Sequence, residues 1–170
     1  MEVIIKAKVK PTEDKYKVKK AILNIFPKAK LTFIEKDNEF GEWEGKTKSV
    51  EKLKELLRSQ SILDAARMVL EKGMTENATK FYLNKQAAYV GAVNFDIDTH
   101  GGIFVKILAD ENEDIMKIIK DIAPRTKGGV IINEDELEEE EEKEDSEEIK
   151  EGHKEENNLK IKVIDNSSGD

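Results

Sequence analysis

The sequence predicts an α+β fold in two layers, a largely antiparallel sheet with helices packed on one of its faces. Three observations predict it. Short stretches alternate apolar and polar residues with period two, the pattern of half-buried strands. Between them lie stretches with apolar residues three and four apart, the pattern of amphipathic helices. Strand-like stretches are joined by turns too short for a parallel crossover, which implies antiparallel pairing.

In chain order, Val3, Ile5, Ala7 and Val9 alternate with Ile4, Lys6, Lys8 and Lys10, a strand whose outer face is basic. Pro11 ends it, and Thr12 is the expected N-cap of a helix with Glu13 and Asp14 in its first turn. Val18, Ala21, Ile22, Ile25 and Phe26 form that helix's apolar stripe, and Pro27 stops it. Leu31–Ile34 reads as a second strand and Glu39–Lys48 as a third, joined by a Lys36-Asp37-Asn38 turn. Ser49 is the expected cap of a helix carrying Val50, Leu53, Leu56 and Leu57. Ser59-Gln60-Ser61 breaks or bends it before Ile62, Ala65, Ala66, Val69 and Leu70 continue to Gly73. Thr79–Lys85, Ala88–Phe95 and Gly102–Ala109 read as strands, and Asn112 as the cap of a last helix with Ile115, Ile118, Ile119 and Ile122.

The charge divides the chain. Of 170 residues, 29 are Lys or Arg and 37 Asp or Glu, a net charge of -8. Residues 1–130 hold 24 basic and 20 acidic residues, a balance of +4, and residues 131–170 hold 5 and 17, a balance of -12. The expected organisation is therefore a mildly basic α+β domain over 1–130 and an acidic tail over 131–170. The run from Glu134 to Glu148 cannot bury enough apolar surface to offset chain entropy, so the tail reads as disordered or as a frayed helix. Leu159–Ile164 alternates with period two and reads as a strand. The tail either solubilises the protein or folds back on the basic face as a phosphate mimic.

Composition excludes several functions. There is no cysteine, which removes disulfides, thiolate nucleophiles and Cys-based metal sites. No apolar run reaches membrane-spanning length and the N-terminus has no secretory pattern, so a cytoplasmic protein is expected. Abundant Lys, Glu and Ile match a thermophile surface rich in ion pairs. Gly41-Glu42-Trp43-Glu44-Gly45-Lys46-Thr47 imitates a phosphate-binding loop, but it has three residues between its glycines where four are needed, and two glutamates that repel phosphate. Asp96-x-Asp98-x-His100-Gly101 imitates a calcium loop, but Ile107 stands where the bidentate Glu is required. No nucleophile or general base can be singled out, and no metal or cofactor is expected.

Two constellations carry recognition chemistry. In Arg58–Arg67, the groups Arg58, Gln60, Asp64 and Arg67 include forked donors able to grip phosphate; an Asp64–Arg67 surface ion pair is the plainer reading. In Lys80–Ala88, an outward Tyr82 stands among Lys80, Asn84, Lys85 and Gln86. That set combines a stacking ring, cations and amides, the groups that bind single-stranded or looped RNA. The plainer reading there is a satisfied strand with solvated lysines.

These blocks, with Val9–Asp14 and Ala123-Pro124-Arg125-Thr126, resemble an archaeal family, uncharacterised protein family number 0201, described as RNA-binding. The resemblance covers residues 1–127. It implies a fold similar to the ribosomal protein that binds 5S rRNA, and a role in binding RNA. It supplies no catalytic residues.

The leading expectation is a non-enzymatic protein binding RNA, including structured rRNA, through a basic sheet face that carries a tyrosine. Its candidate contacts are Lys6, Lys8, Lys10, Arg58, Gln60, Arg67, Lys80, Tyr82, Asn84, Lys85, Gln86 and Arg125. The alternative is a protein-interaction module or homodimer formed through an open sheet edge. A third is an enzyme clamping a phosphorylated substrate with Arg58, Arg67 and Arg125.

Overall fold

The computed structural model describes residues 1–36, 41–97 and 100–167, of which 155–167 are described by backbone alone. Its architecture is α+β. The strands β1 (Glu2–Val9), β2 (Lys30–Ile34), β3 (Gly41–Thr47), β4 (Ala78–Leu83), β5 (Phe95–Asp96) and β6 (Ile103–Leu108) form one sheet in the order β2-β3-β1-β6-β4-β5. Every pairing in it is antiparallel. The alternation read in the sequence sets which face is dry. Val3, Ile5, Ala7 and Val9 from β1, Trp43 from β3, Phe81 and Leu83 from β4, and Ile103, Val105 and Ile107 from β6 enter a single apolar core.

Helices α1 (Lys15–Ile25), α2 (Glu51–Ser59), α3 (Leu63–Lys72) and α5 (Ile115–Ile122) supply the other side of that core. Each buries the stripe its spacing dictates: Val18, Ala21, Ile22 and Ile25 from α1, Leu53 and Leu57 from α2, Leu63, Ala66 and Leu70 from α3, Ile115, Ile119 and Ile122 from α5. The break between α2 and α3 falls at Ser61, which takes a positive φ of 56°.

The caps differ from expectation. Asp14, not Thr12, caps α1 by accepting from the Tyr16 and Lys17 amides. Asp114, not Asn112, caps α5 through the Met116 amide. In both cases a carboxylate adjacent to the first turn outcompetes the earlier residue. Ser49 caps nothing; Val50 occupies the N-cap of α2 with no side-chain bond.

The stretch 88–95 is not a strand. Asn84 accepts a hydrogen bond from the Ala87 amide and starts a short helix, α4 (Lys85–Tyr89). The chain then turns through Gly91, at φ 82°, and only Phe95–Asp96 pairs with the sheet. The imitation phosphate loop is β3, and its glycines serve packing. A Cβ on Gly45 would fall 2.6 Å from the Lys30 carbonyl oxygen, and one on Gly41 would meet the Phe33 ring. The Lys36-Asp37-Asn38 turn, the start of the third predicted strand and the centre of the Asp96–Gly101 segment lie outside the described residues.

After α5 a hairpin follows, β7 (Thr126–Lys127) and β8 (Val130–Ile131), turning through Gly128 and Gly129 at φ 59° and 81°. The Thr126 amide and hydroxyl both donate to the Asp64 carboxylate, at 3.0 and 2.8 Å, fastening the hairpin to α3. Those bonds, with the nearby Arg125 charge, hold the Asp64 carboxyl below its ordinary pKa. The expected Asp64–Arg67 pair is thus replaced: Asp64 serves the hairpin and Arg67 pairs with Glu71.

Contacts divide the chain into Met1–Ile131 and Ile132–Asp170. The second unit is one helix, α6 (Glu134–Ser167). It runs through the stretch expected to be disordered or frayed, and through Leu159–Ile164, expected as a strand. Glu134, Asp135 and Glu136 suit the positive end of the helix dipole, and Glu and Lys are good helix formers. No helix among the described residues is long and apolar enough to cross a membrane.

Candidate nucleic-acid interface

Parity fixes what the second face of the sheet displays. With odd positions of β1, β3 and β6 turned to the core, even positions turn outward, and the strand register aligns them into rows. One row reads Lys30, Lys46, Ile4, Lys106, Lys80 across five strands. The next reads Thr32, Glu44, Lys6, Phe104, Tyr82, Asp96 across all six. Ile34, Glu42 and Lys8 begin a third.

Two features of these rows bear on recognition. Tyr82 and Phe104 face each other on adjacent strands, ring centroids 5.4 Å apart and tilted by 56°. Each is only half buried, so ring surface remains open to solvent. A depression of about 290 Å³ is lined by these rings with Lys6, Lys8, Glu42, His100 and Gly102. Secondly, Lys30 opposes Lys46, and Lys106 opposes Lys80. Like charges directly across a strand pair cost stability. Among the described residues, no carboxylate pairs with Lys30, Lys80 or Lys106.

Carboxylates approach three other lysines, one of them, Lys46, within the row itself. Lys6 lies 4.0 Å from Glu44, Lys36 3.4 Å from Glu42 and Lys46 3.6 Å from Glu2. The row therefore keeps Lys30 at its β2 end and Lys106 and Lys80 on its β6–β4 side without a carboxylate neighbour among the described residues.

Of the sequence-predicted contacts, Lys6, Lys8, Lys80 and Tyr82 come together on this face. Lys10 is exposed just beyond β1, its ammonium beside Gly101. The forked groups lie in the helical layer and are occupied. Arg58 donates to the carbonyls of Lys54, Asp121 and Ile122. Arg67 is 3% exposed; it donates to the Ala123 carbonyl at 2.9 Å and to Glu71 at 2.8 Å. Both guanidiniums thus converge on the C-terminal carbonyls of α5, the negative end of its dipole. Arg125, half exposed, stands 3.7 Å from the same Glu71. Arg58 and Arg67 thus serve a helix end, and Arg67 and Arg125 share Glu71.

Gln60, Asn84 and Lys85 are also engaged. Gln60 clasps Val93, donating to its carbonyl at 2.9 Å and accepting from its amide at 2.8 Å. Asn84 is the α4 cap. Lys85 donates to the Lys8 carbonyl and to Glu13, tying α4 to the end of β1. Gln86 is exposed, but on α4, beside a depression of about 520 Å³ lined with Asp14, Lys17 and Tyr89.

Sequence reasoning missed Phe104, Lys106 and Lys30. The signal was present: Ile103, Val105 and Ile107 are the inward set of β6, so Phe104 and Lys106 had to face outward. The pairing of Phe104 with Tyr82 depends on register between strands 22 residues apart in sequence, which no local pattern supplies.

The fold and this face define a class: an α+β protein with a six-stranded antiparallel sheet, helices on one side and a lysine- and aromatic-bearing surface on the other. A family model described as RNA binding matches residues 2–109. The UPF0201 protein of Pyrococcus horikoshii is 44% identical over 135 residues, covering 77% of this chain and 95% of that one. The UPF0201 protein of Methanopyrus kandleri is 40% identical over 145 residues, covering 78% and 90%. A crystal structure of a UPF0201 protein from Methanococcus jannaschii is 99% identical with a TM-score of 0.76, covering 78% of this chain and all of that one. A second UPF0201 crystal structure, 39% identical, has a TM-score of 0.69 over the same share. The chain belongs to the UPF0201 family.

Proposed function

We propose that this protein is a non-catalytic RNA-binding protein and that RNA lies on the outward face of the six-stranded sheet. The observation that carries this is the half-exposed Tyr82–Phe104 pair set beside two facing pairs of lysines. Aromatic rings offer bases a stacking surface, and lysines meet phosphate. A polyanion relieves the repulsion built into the Lys30–Lys46 and Lys106–Lys80 pairs, so binding recovers part of what the fold gives up there. The description of the matching family model supports the same reading. Structured rRNA is a suitable ligand where it presents loops or ends.

Fluorescence anisotropy with labelled RNA tests this. Tyr82→Ala and Phe104→Ala are expected to weaken binding by about 1–3 kcal/mol each. Gln86→Ala, on α4, is expected to leave it unchanged. RNA affinity insensitive to both ring deletions would overturn the proposal.

A further inference from the structure

We infer that the ligand on this face is an unpaired RNA segment that crosses the strands, its sugar-phosphate backbone on the Lys30–Lys46–Lys106–Lys80 row and two of its bases on Tyr82 and Phe104. The inference rests on the RNA-binding reading and specifies the ligand of the same surface.

The geometry assigns the two rows different tasks. Neighbouring strands lie about 4.8 Å apart, so the lysine row from β2 to β4 spans roughly 19 Å over four strand intervals. That is room for about four nucleotides, the small end of the range for single-stranded platforms. The adjacent row, one side-chain step along the strands, holds the rings. A chain with phosphates over the first row places its bases over the second. The reverse orientation is disfavoured by charge. Glu44 lies within the ring row and Glu42 just beyond it, and their carboxylates repel phosphate. The lysine row contains Ile4 at its centre and no carboxylate of its own; Glu2, 3.6 Å from Lys46, flanks it.

The rings argue against a duplex. In a paired helix the base faces are covered by their neighbours, and proteins read such helices through backbone and 2′-hydroxyl contacts instead. A tilted, half-buried Tyr–Phe pair in a shallow depression offers ring surface to bases splayed out of a stack. The Tyr82 hydroxyl and the Lys6 and Lys8 ammoniums at the rim add donors for base edges.

The test uses the full chain, an unstructured RNA octamer and a blunt RNA duplex of the same length, with affinity measured across a salt series. The octamer is expected to bind at least tenfold more tightly than the duplex. For single strands the log–log salt slope falls by about 0.7 for each phosphate no longer neutralised by a cation, so K80A/K106A is expected to reduce it by about 1.4. Both lysines are on the sheet surface and their removal relieves repulsion, so the variant keeps its fold. Y82A/F104A is expected to lower octamer affinity tenfold or more with the slope unchanged. A duplex bound as well as the octamer, or a slope indifferent to K80A/K106A, overturns this inference while leaving RNA binding in place. Absence of binding to both RNAs overturns the RNA-binding reading itself.

Discussion

Arg67 and Gln60 have the donor chemistry of an RNA contact and spend it inside the protein. A guanidinium that can fork onto phosphate can equally donate to carbonyls at a helix end, as Arg58 does to Asp121 and Ile122 and Arg67 to Ala123 at the end of α5. Gln60 presents an amide to the backbone of Val93 as a neighbouring strand would. Side-chain type and spacing are the same in both uses, which is why Arg58, Gln60, Arg67 and Lys85 could not be sorted from sequence. Tyr82 could, because its parity with Phe81 and Leu83 placed it outward. The two roles are separable by measurement. Gln60→Ala leaves the Val93 amide and carbonyl without their partner and is expected to cost about 1–3 kcal/mol of stability in denaturant unfolding. RNA affinity of the folded variant is expected to match the parent.

At the scale of elements, strands and helices with a strong period were legible and their ends were not. β1, β4, β6, α1 and α5 follow from alternation and apolar stripes. The caps slipped because two capping residues stood close together and local geometry chose between them, Asp14 over Thr12 and Asp114 over Asn112. The 85–89 helix was hidden because Ala87, Ala88, Tyr89 and Val90 suit a strand as well as a helix turn, and only the Asn84 cap decides. The β7–β8 hairpin depends on one carboxylate. Asp64 has a folded-state pKa lowered by the Thr126 amide and hydroxyl, so its contribution is fully present above the ordinary value of 3.8 and is lost as pH falls through the lowered one. Protection of the Thr126 amide against hydrogen exchange, taken relative to its intrinsic rate at each pH, is expected to be present near neutrality and lost at strongly acidic pH. Asp64→Ala is expected to lack that protection at every pH.

For the whole molecule, the division of charge read from sequence, +4 over residues 1–130 and -12 over 131–170, describes an amount and not a surface. A sheet with helices on one side turns that modest excess into a pattern, because strand register gathers Lys30, Lys46, Lys106 and Lys80 into one row and Phe104 and Tyr82 into the next. Glu44 of β3 lies 4.0 Å from Lys6, whereas Lys30, Lys80 and Lys106 of that row have no carboxylate neighbour among the described residues. In the proposed function, RNA is held by this face and not by the helical layer. The most direct measurement is a titration of the unpaired RNA octamer into ¹⁵N-labelled full chain, followed by amide chemical shifts. Perturbations are expected to concentrate at Lys6, Lys80, Tyr82, Phe104 and Lys106, with Arg58, Gln60 and Arg67 unmoved. Shifts centred on α2, α3 and the end of α5, with the outward face of β1, β4 and β6 silent, would contradict it.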